Sequence, residues 1–390
     1  MPRVEATPNP DVLKWARESA GYDFADVARR LRTSEDRVRG WEENVRRPTL
    51  GQLRKIAAMY RRPLALFYLP EPPRSFRAMH DFRHLPGAVP TESPALRLEI
   101  RRAWERRDIA LELLADLDEE PAGVPVAVTL DDNVEDTATR VRQWLGVSPG
   151  RQREWGKAPH AALNGWRTTL EAHGVLALQA IGVPLREMRG FSIAERPLPI
   201  AVANIQDAPR GRVFTLLHEL VHILLRENGL CDERDVDDVD RGAEGFCNRV
   251  AAAILVPESD LRESETVIRH GRGVSWSEQE LSGLSRRFGG ASEEALLLRM
   301  VRFGLTTQHF YRERREHLRQ RYTDQRERDA GQGGFVPPHR VSMAALGRTF
   351  VRLVLEGFDR ERISASDVAD FLGMRLKHLE EVRSDMRRVP

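Results

Sequence analysis

The run His218-Glu219-Leu220-Val221-His222 holds the side chains of this chain best suited to chemistry. Two histidines four residues apart fall on one face of a helix, so both imidazoles can point at one metal ion. The glutamate beside the first can then take a proton from water held at that ion. Phe214, Leu216, Leu217, Leu220, Ile223 and Leu224 make the rest of the helix apolar. A buried apolar helix is a costly place for two imidazoles and a carboxylate unless something binds them. A metal centre is the expectation, and a structural cluster whose polar groups satisfy one another is the competing reading.

Catalytic zinc generally takes three protein ligands and keeps one position open, so a third donor is expected downstream. Glu244 opens the run EGFCNRVAAAILVP, where Phe246, Val250, Ala253 and Ile254 form an apolar face and Asn248 follows Glu244 one turn later on the same side. Asp232, Glu233, Asp235, Asp237, Asp238 and Asp240 crowd the intervening segment, and Cys231 and Cys247 offer thiols. Acidic loops are more often solvated, and apolar helices more often bury a cysteine inertly. Residue type and spacing rank Glu244 first and leave these rivals open.

Apolar patterning places strands at 175–179, 190–193 and 199–204 ahead of the histidine helix, with helices over 97–117, 134–145 and 161–172 before them. Strands followed by a ligand-bearing helix make an α+β arrangement. The strand through Ile200, Ala201 and Val202 is expected to be an edge along which an extended peptide can pair.

At these motifs the chain resembles the ImmA/IrrE family of zinc metallopeptidases. The family's F-T-L-x-H-E-x-x-H is read in Phe214, Thr215, Leu216, His218, Glu219 and His222, and its E-x-x-A-N-x-F-A…P in Glu244, Asn248, Ala251 and Pro257. Cys247 stands where alanine is usual and Val250 where phenylalanine is. The resemblance implies a zincin-like domain with a small sheet, Zn2+ as cofactor, His218, His222 and Glu244 as metal ligands, and Glu219 as the catalytic base for peptide hydrolysis. Some relatives cut helix-turn-helix repressors, which implies a protein substrate of that kind and control of stress-response or mobile-element genes. The thiol of Cys247 leaves open redox sensitivity or an altered ligand set. A second reading makes the protein a DNA-binding regulator whose zinc domain senses without cutting; Glu219 favours catalysis, since a sensor needs no general base. A third is an antitoxin-like partner that only docks. Tyr311, His270 and His309 could steady an oxyanion by chemistry alone, and each is more simply structural.

Residues 10–68 read as short amphipathic helices, with Val12, Leu13, Trp15 and Ala16, then Phe24, Val27, Ala28 and Leu31, then Val38 and Trp41, then Leu50, Leu53, Ile56, Ala57 and Tyr60 as apolar faces. The tight join through Arg32 and Thr33 has helix-turn-helix spacing. The run SEDRVRGWEENVRRPTLGQLRKIAAMY resembles a lambda-repressor or Cro-like domain. That resemblance makes Arg37 and Arg39 candidates for bases or phosphates and Arg46 and Arg47 for the DNA backbone. Glu35 and Asp36 oppose a duplex, so docking on protein is the alternative.

The expected class is α+β and mostly helical: a helix-turn-helix domain at 1–75, a linker at 76–94 with His80 and His84 solvated, the metal domain at 95–330 and a helical cap at 331–390. Helices are expected over 278–288 and 293–303, followed by the charged face YRERREHLRQRYTDQRERD. The stretch ISASDVADFLGMRLKHLEEV, capped by Ser364 and ended at Gly373, is helix-turn-helix-like in pattern and is expected to be a structural or dimerising cap, with a homodimer as its consequence. The chain has 390 residues, 41% hydrophobic and 31% charged, with a net charge of +2. That is globular composition with no whole-protein case for nucleic acid, although residues 1–80 hold 16 Lys and Arg against 10 Asp and Glu. No apolar run suits a membrane span, MPRVEATPNPD lacks a signal-peptide core, and two cysteines make no disulfide framework, so the cytoplasm is the expected address.

Overall fold

The computed structural model describes residues 4–73, 93–156, 158–226, 230–231, 242–331 and 337–387, with the backbone alone at 230–231, 319 and 321–331. The chain forms two compact units, Met1–Trp104 and Glu105–Pro390.

In the first unit, α1 (Pro10–Ser19) starts with proline in its first turn and Asn9 as its cap, the Asn9 side chain accepting from the Asp11 amide. α2 (Phe24–Leu31) is capped by Asp23 and ends on Arg32 in the left-handed conformation, which turns the chain into α3 (Glu35–Glu42). α4 (Leu50–Tyr60) opens with a Thr49/Gln52 capping box, and a 3-10 turn at Leu64–Tyr68 closes the bundle. Val12, Ala16, Val27, Trp41, Leu53 and Phe67 fill its core. Arg17 on α1 is buried against Glu42 on α3, with contacts of 2.8 and 2.9 Å. The expected helical faces therefore converge as a helix-turn-helix bundle.

α5 (Pro94–Asp116) begins in the first unit, where Arg101 donates to the Arg61 carbonyl, and continues into the second, where Arg107 donates to the carbonyls of Leu198 and Arg196. There α6 (Val134–Trp144), α7 (Pro149–Trp155) and α8 (Pro159–Ala172) lead to β1 (Leu176–Ala180), β2 (Gly190–Ile193) and β3 (Ile200–Asn204). α9 (Pro209–Leu225), β4 (Leu230–Cys231) and α10 (Ala243–Leu255) complete the part that carries His218, His222 and Glu244. The sheet order is β1-β3-β2-β4, with β1 parallel to β3 and β2 antiparallel to both β3 and β4. The α+β, mostly helical class expected from sequence is the class observed.

One expectation is overturned. β3 is an interior strand, with Ile200 facing Leu176 on one side and Ile193 on the other, so its backbone groups are already paired and cannot take an added peptide strand. Its uninterrupted apolar run, IAVAN, is what a strand buried on both faces requires.

α9 lies across β2 and β3, flanked by α8 and α10. Leu216, Leu220 and Ile223 of α9 share one core with Trp166 and Leu170 of α8 and with Val250 and Ile254 of α10. Helices α11 (Glu258–Arg262), α12 (Glu265–His270), α13 (Glu278–Arg287), α14 (Glu293–Arg302) and α15 (Gln308–Gly331) follow. The chain ends in α16 (Pro338–Leu346), α17 (Arg348–Asp359), α18 (Ala365–Leu372) and α19 (Leu379–Arg387).

Candidate metal centre

α9 starts with proline in its first turn, where no amide partner is lost, and ends on Arg226 in the left-handed conformation. Between those signals the helix is buried almost all round, and His218, Glu219 and His222 are 1%, 0% and 3% exposed. Four-residue spacing stacks the two imidazoles with their Nε2 atoms 3.1 Å apart. α10 packs directly on α9 and brings Glu244 in its first turn onto the same point, Oε2 lying 3.2 Å from His218 Nε2 and Oε1 3.1 Å from His222 Nε2. Glu244 keeps 42% of its side chain exposed, so the cluster opens to solvent on that side.

These distances suit one small cation. Donors about 2.0–2.2 Å from a tetrahedral zinc ion are roughly 3.3–3.5 Å apart, and the donor atoms of His218, His222 and Glu244 all lie within 4.8 Å of one another. The two-nitrogen, one-oxygen set matches the donors that zinc takes in hydrolytic sites. Burial opposes a charge on His222, yet hydrogen bonding with Cys247 and Glu244 pushes its pKa up to about 11. Burial would raise the Glu244 carboxyl, but hydrogen bonds from both histidines hold it far below the usual carboxylate range. Among the described residues, the buried Nδ1 atoms of both histidines have no hydrogen-bond partner.

Glu219 faces β2. Both its carboxylate oxygens are buried. Burial pushes its pKa up to about 7, against the opposing pull of the two histidines and the nearby Ser192 hydroxyl. Ser192 and Gly190 sit two apart on β2 and so share a face of the strand. A β-carbon at Gly190 would lie 3.1 Å from Glu219 Oε1. No motif marked Gly190 or Ser192 in the sequence, because their part depends on the strand-to-helix packing and not on spacing along the chain.

Cys247, three residues after Glu244, is fully buried beside His222 and is not among the three converging donors. Burial pushes its thiol pKa up. Asp232, Glu233, Asp235, Asp237, Asp238 and Asp240 lie outside the described residues, as do His80, His84 and the side chain of Cys231. The three oxyanion candidates are engaged elsewhere: Tyr311 reaches Glu294 from the core, His270 stacks on Trp276 and bonds Glu280, and His309 is 86% exposed beside Glu313.

In the first unit, Arg37, Arg39, Arg46 and Arg47 are all exposed. The Arg39 guanidinium sits 4.3 Å from the centre of the Phe24 ring, and the Arg46 stem lies along Gly40. Glu35 and Asp36 are exposed at the start of α3.

Comparison with protein families gives two matches. Residues 13–67 match a helix-turn-helix family, and residues 186–300 match the M78 peptidase family through its IrrE N-terminal-like domain. The second match spans β2, β3, α9 and α10, with the whole histidine and glutamate cluster inside it. No curated protein and no solved structure matches the chain.

Proposed function

From a chain that joins a helix-turn-helix domain to an IrrE N-terminal-like domain of the M78 peptidase family, we propose a cytoplasmic zinc-dependent endopeptidase that cuts a protein partner, a helix-turn-helix repressor being the substrate class the family resemblance implies. The observation that carries this reading is the placing of a fully buried carboxylate, Glu219, beside three converging donors. His218, His222 and Glu244 are the proposed ligands. Zinc bound there supplies Lewis acidity, polarising a carbonyl and making water more acidic. Glu219 takes the proton of the attacking water and hands it to the departing amine, work suited to a base whose pKa lies near neutrality. The helix-turn-helix domain brings the enzyme to DNA through Arg37, Arg39, Arg46 and Arg47, or to a partner already on DNA, and the genes controlled are those of stress response or mobile elements.

Elemental analysis of the purified wild type, Glu244→Ala and Glu219→Gln tests the assignment. The expected result is about one zinc per chain in wild type and Glu219→Gln, and little in Glu244→Ala. Retention by Glu244→Ala would move the third ligand elsewhere, with Cys247 next in line. A second reading draws on Cys247 beside His222: a regulator that senses oxidants through this thiol has no use for Glu219. Full biological output from Glu219→Gln would favour the sensor over the protease.

A further inference from the structure

The C-terminal helices repeat the N-terminal ones. α18 is capped by Ser364, whose hydroxyl accepts from the Asp367 amide, as Asp23 accepts from the Asp26 amide at the start of α2. Both helices have eight residues and end in the left-handed conformation, Arg32 at φ 54° and Gly373 at φ 62°. The next amides turn back onto equivalent carbonyls, Thr33 onto Ala28 at 2.9 Å and Met374 onto Ala369 at 3.0 Å. In the same register Val27 matches Val368, both at 0% exposure, and Trp41 at 2% matches Val382 at 1%.

The preceding helix matches too. α1 buries Val12, Leu13 and Ala16, and α17 buries Leu353, Val354 and Gly357 in the same spacing. Each exits through a positive-φ residue, Gly21 or Glu361, whose amide returns to the carbonyl of Glu18 or Phe358. One extra residue precedes Ser364. An ion pair joins the first and third helices of each set, buried between Arg17 and Glu42, and partly exposed between Asp359 and Arg383, where Asp359 accepts at 3.0 Å.

We propose that α17–α19 form a second helix-turn-helix module and that it meets duplex DNA through the turn that opens its third helix. Where the N-terminal module presents Ser34, Glu35 and Asp36 at that turn, this one presents Arg375, Leu376 and Lys377, all exposed. Two cations on the turn nearest the groove suit phosphate or guanine, and an apolar side chain between them suits a thymine methyl. Glu380 and Glu381, exposed in the first turn of α19, confine the contact to the residues just before it.

Fluorescence anisotropy of the full-length protein on a 30-base-pair duplex of random sequence, across a salt series, tests the proposal. The experiment uses an Arg37→Ala/Arg39→Ala background, so that the N-terminal module contributes little. Adding Arg375→Ala/Lys377→Ala should weaken binding several-fold and reduce the slope of log affinity against log salt by about 2, one for each lost phosphate contact. Both side chains are exposed, and an unchanged circular dichroism spectrum and melting temperature show that the variant folds. Unchanged affinity and slope, or no binding in the background protein, would overturn the proposal and leave α19 to a protein partner or to a capping role. Neither metal content nor proteolysis enters the measurement, so this proposal and the peptidase reading fail separately.

Discussion

A β-carbon at Gly190 would collide with the Thr215 methyl and lie 2.6 Å from the Val202 carbonyl oxygen. Gly190→Ala must therefore push β2 away from α9 at the point where Glu219 is held, an overpacking that costs about 1–3 kcal/mol. The expected outcome is a lower urea midpoint with zinc binding retained, because His218, His222 and Glu244 do not depend on β2 for their convergence. Loss of zinc together with stability would show that the strand also shapes the ligand cluster. At this scale the sequence is informative where chemistry has a fixed spacing. His218 and His222 must share a helix face once the helix is granted, whereas the choice of Glu244 over the acidic loop came from family resemblance, and Gly190 has no spacing signature at all.

α10 holds Glu244 in place because its far end is tied down. Its last carbonyls, which a helix leaves without partners, receive side-chain donors: Arg142 reaches Ile254, Gln152 reaches Leu255 and Arg299 reaches Val256. These polar residues come from α6, α7 and α14, and no local pattern announces such long-range pairing. β3 is a similar case, since its apolar run identified a strand but could not say which neighbours flank it. α13, by contrast, is announced by its capping box. There the Glu280 carboxylate, hydrogen-bonded to Ser277 and His270, is held down at about 2. A folded pKa below the ordinary 4.5 means that its stabilisation is present above that value and is lost as pH falls towards 2. Glu280→Gln should thus cost on the order of 1 kcal/mol at pH 6, allowing for solvent screening, and almost nothing near pH 2. Thermal melts of both proteins from pH 6 downwards check it; a difference constant with pH would rule the ionised cap out.

The second unit is one body because its last helices are stitched to the strand-bearing layer by buried polar groups. The Gln179 amide on β1 donates to the Ala344 carbonyl of α16 at 2.6 Å and accepts from Arg212 of α9, so one side chain links the sheet, the ligand helix and the C-terminal helices. Glu171 on α8, buried against Arg167, accepts the Thr349 amide at 2.9 Å in the first turn of α17. A carboxylate suits that helix end. Gln179 and Ala344, like Glu171 and Thr349, lie more than a hundred residues apart, which is why the sequence showed a cap-like C-terminus without showing what it caps. Glu171→Ala leaves the Thr349 amide without an acceptor, a loss of about 1–3 kcal/mol. Glu171→Gln keeps an acceptor for the amide and removes only the charge, so it should fall between alanine and wild type. Hydrogen exchange locates the effect: the amide of Thr349 should lose protection in the alanine variant, ahead of those in α9. If α9 and α17 instead lose protection together and by the same factor, the two parts open as a single cooperative unit, and the metal centre is then as stable as the C-terminal helices that flank its sheet.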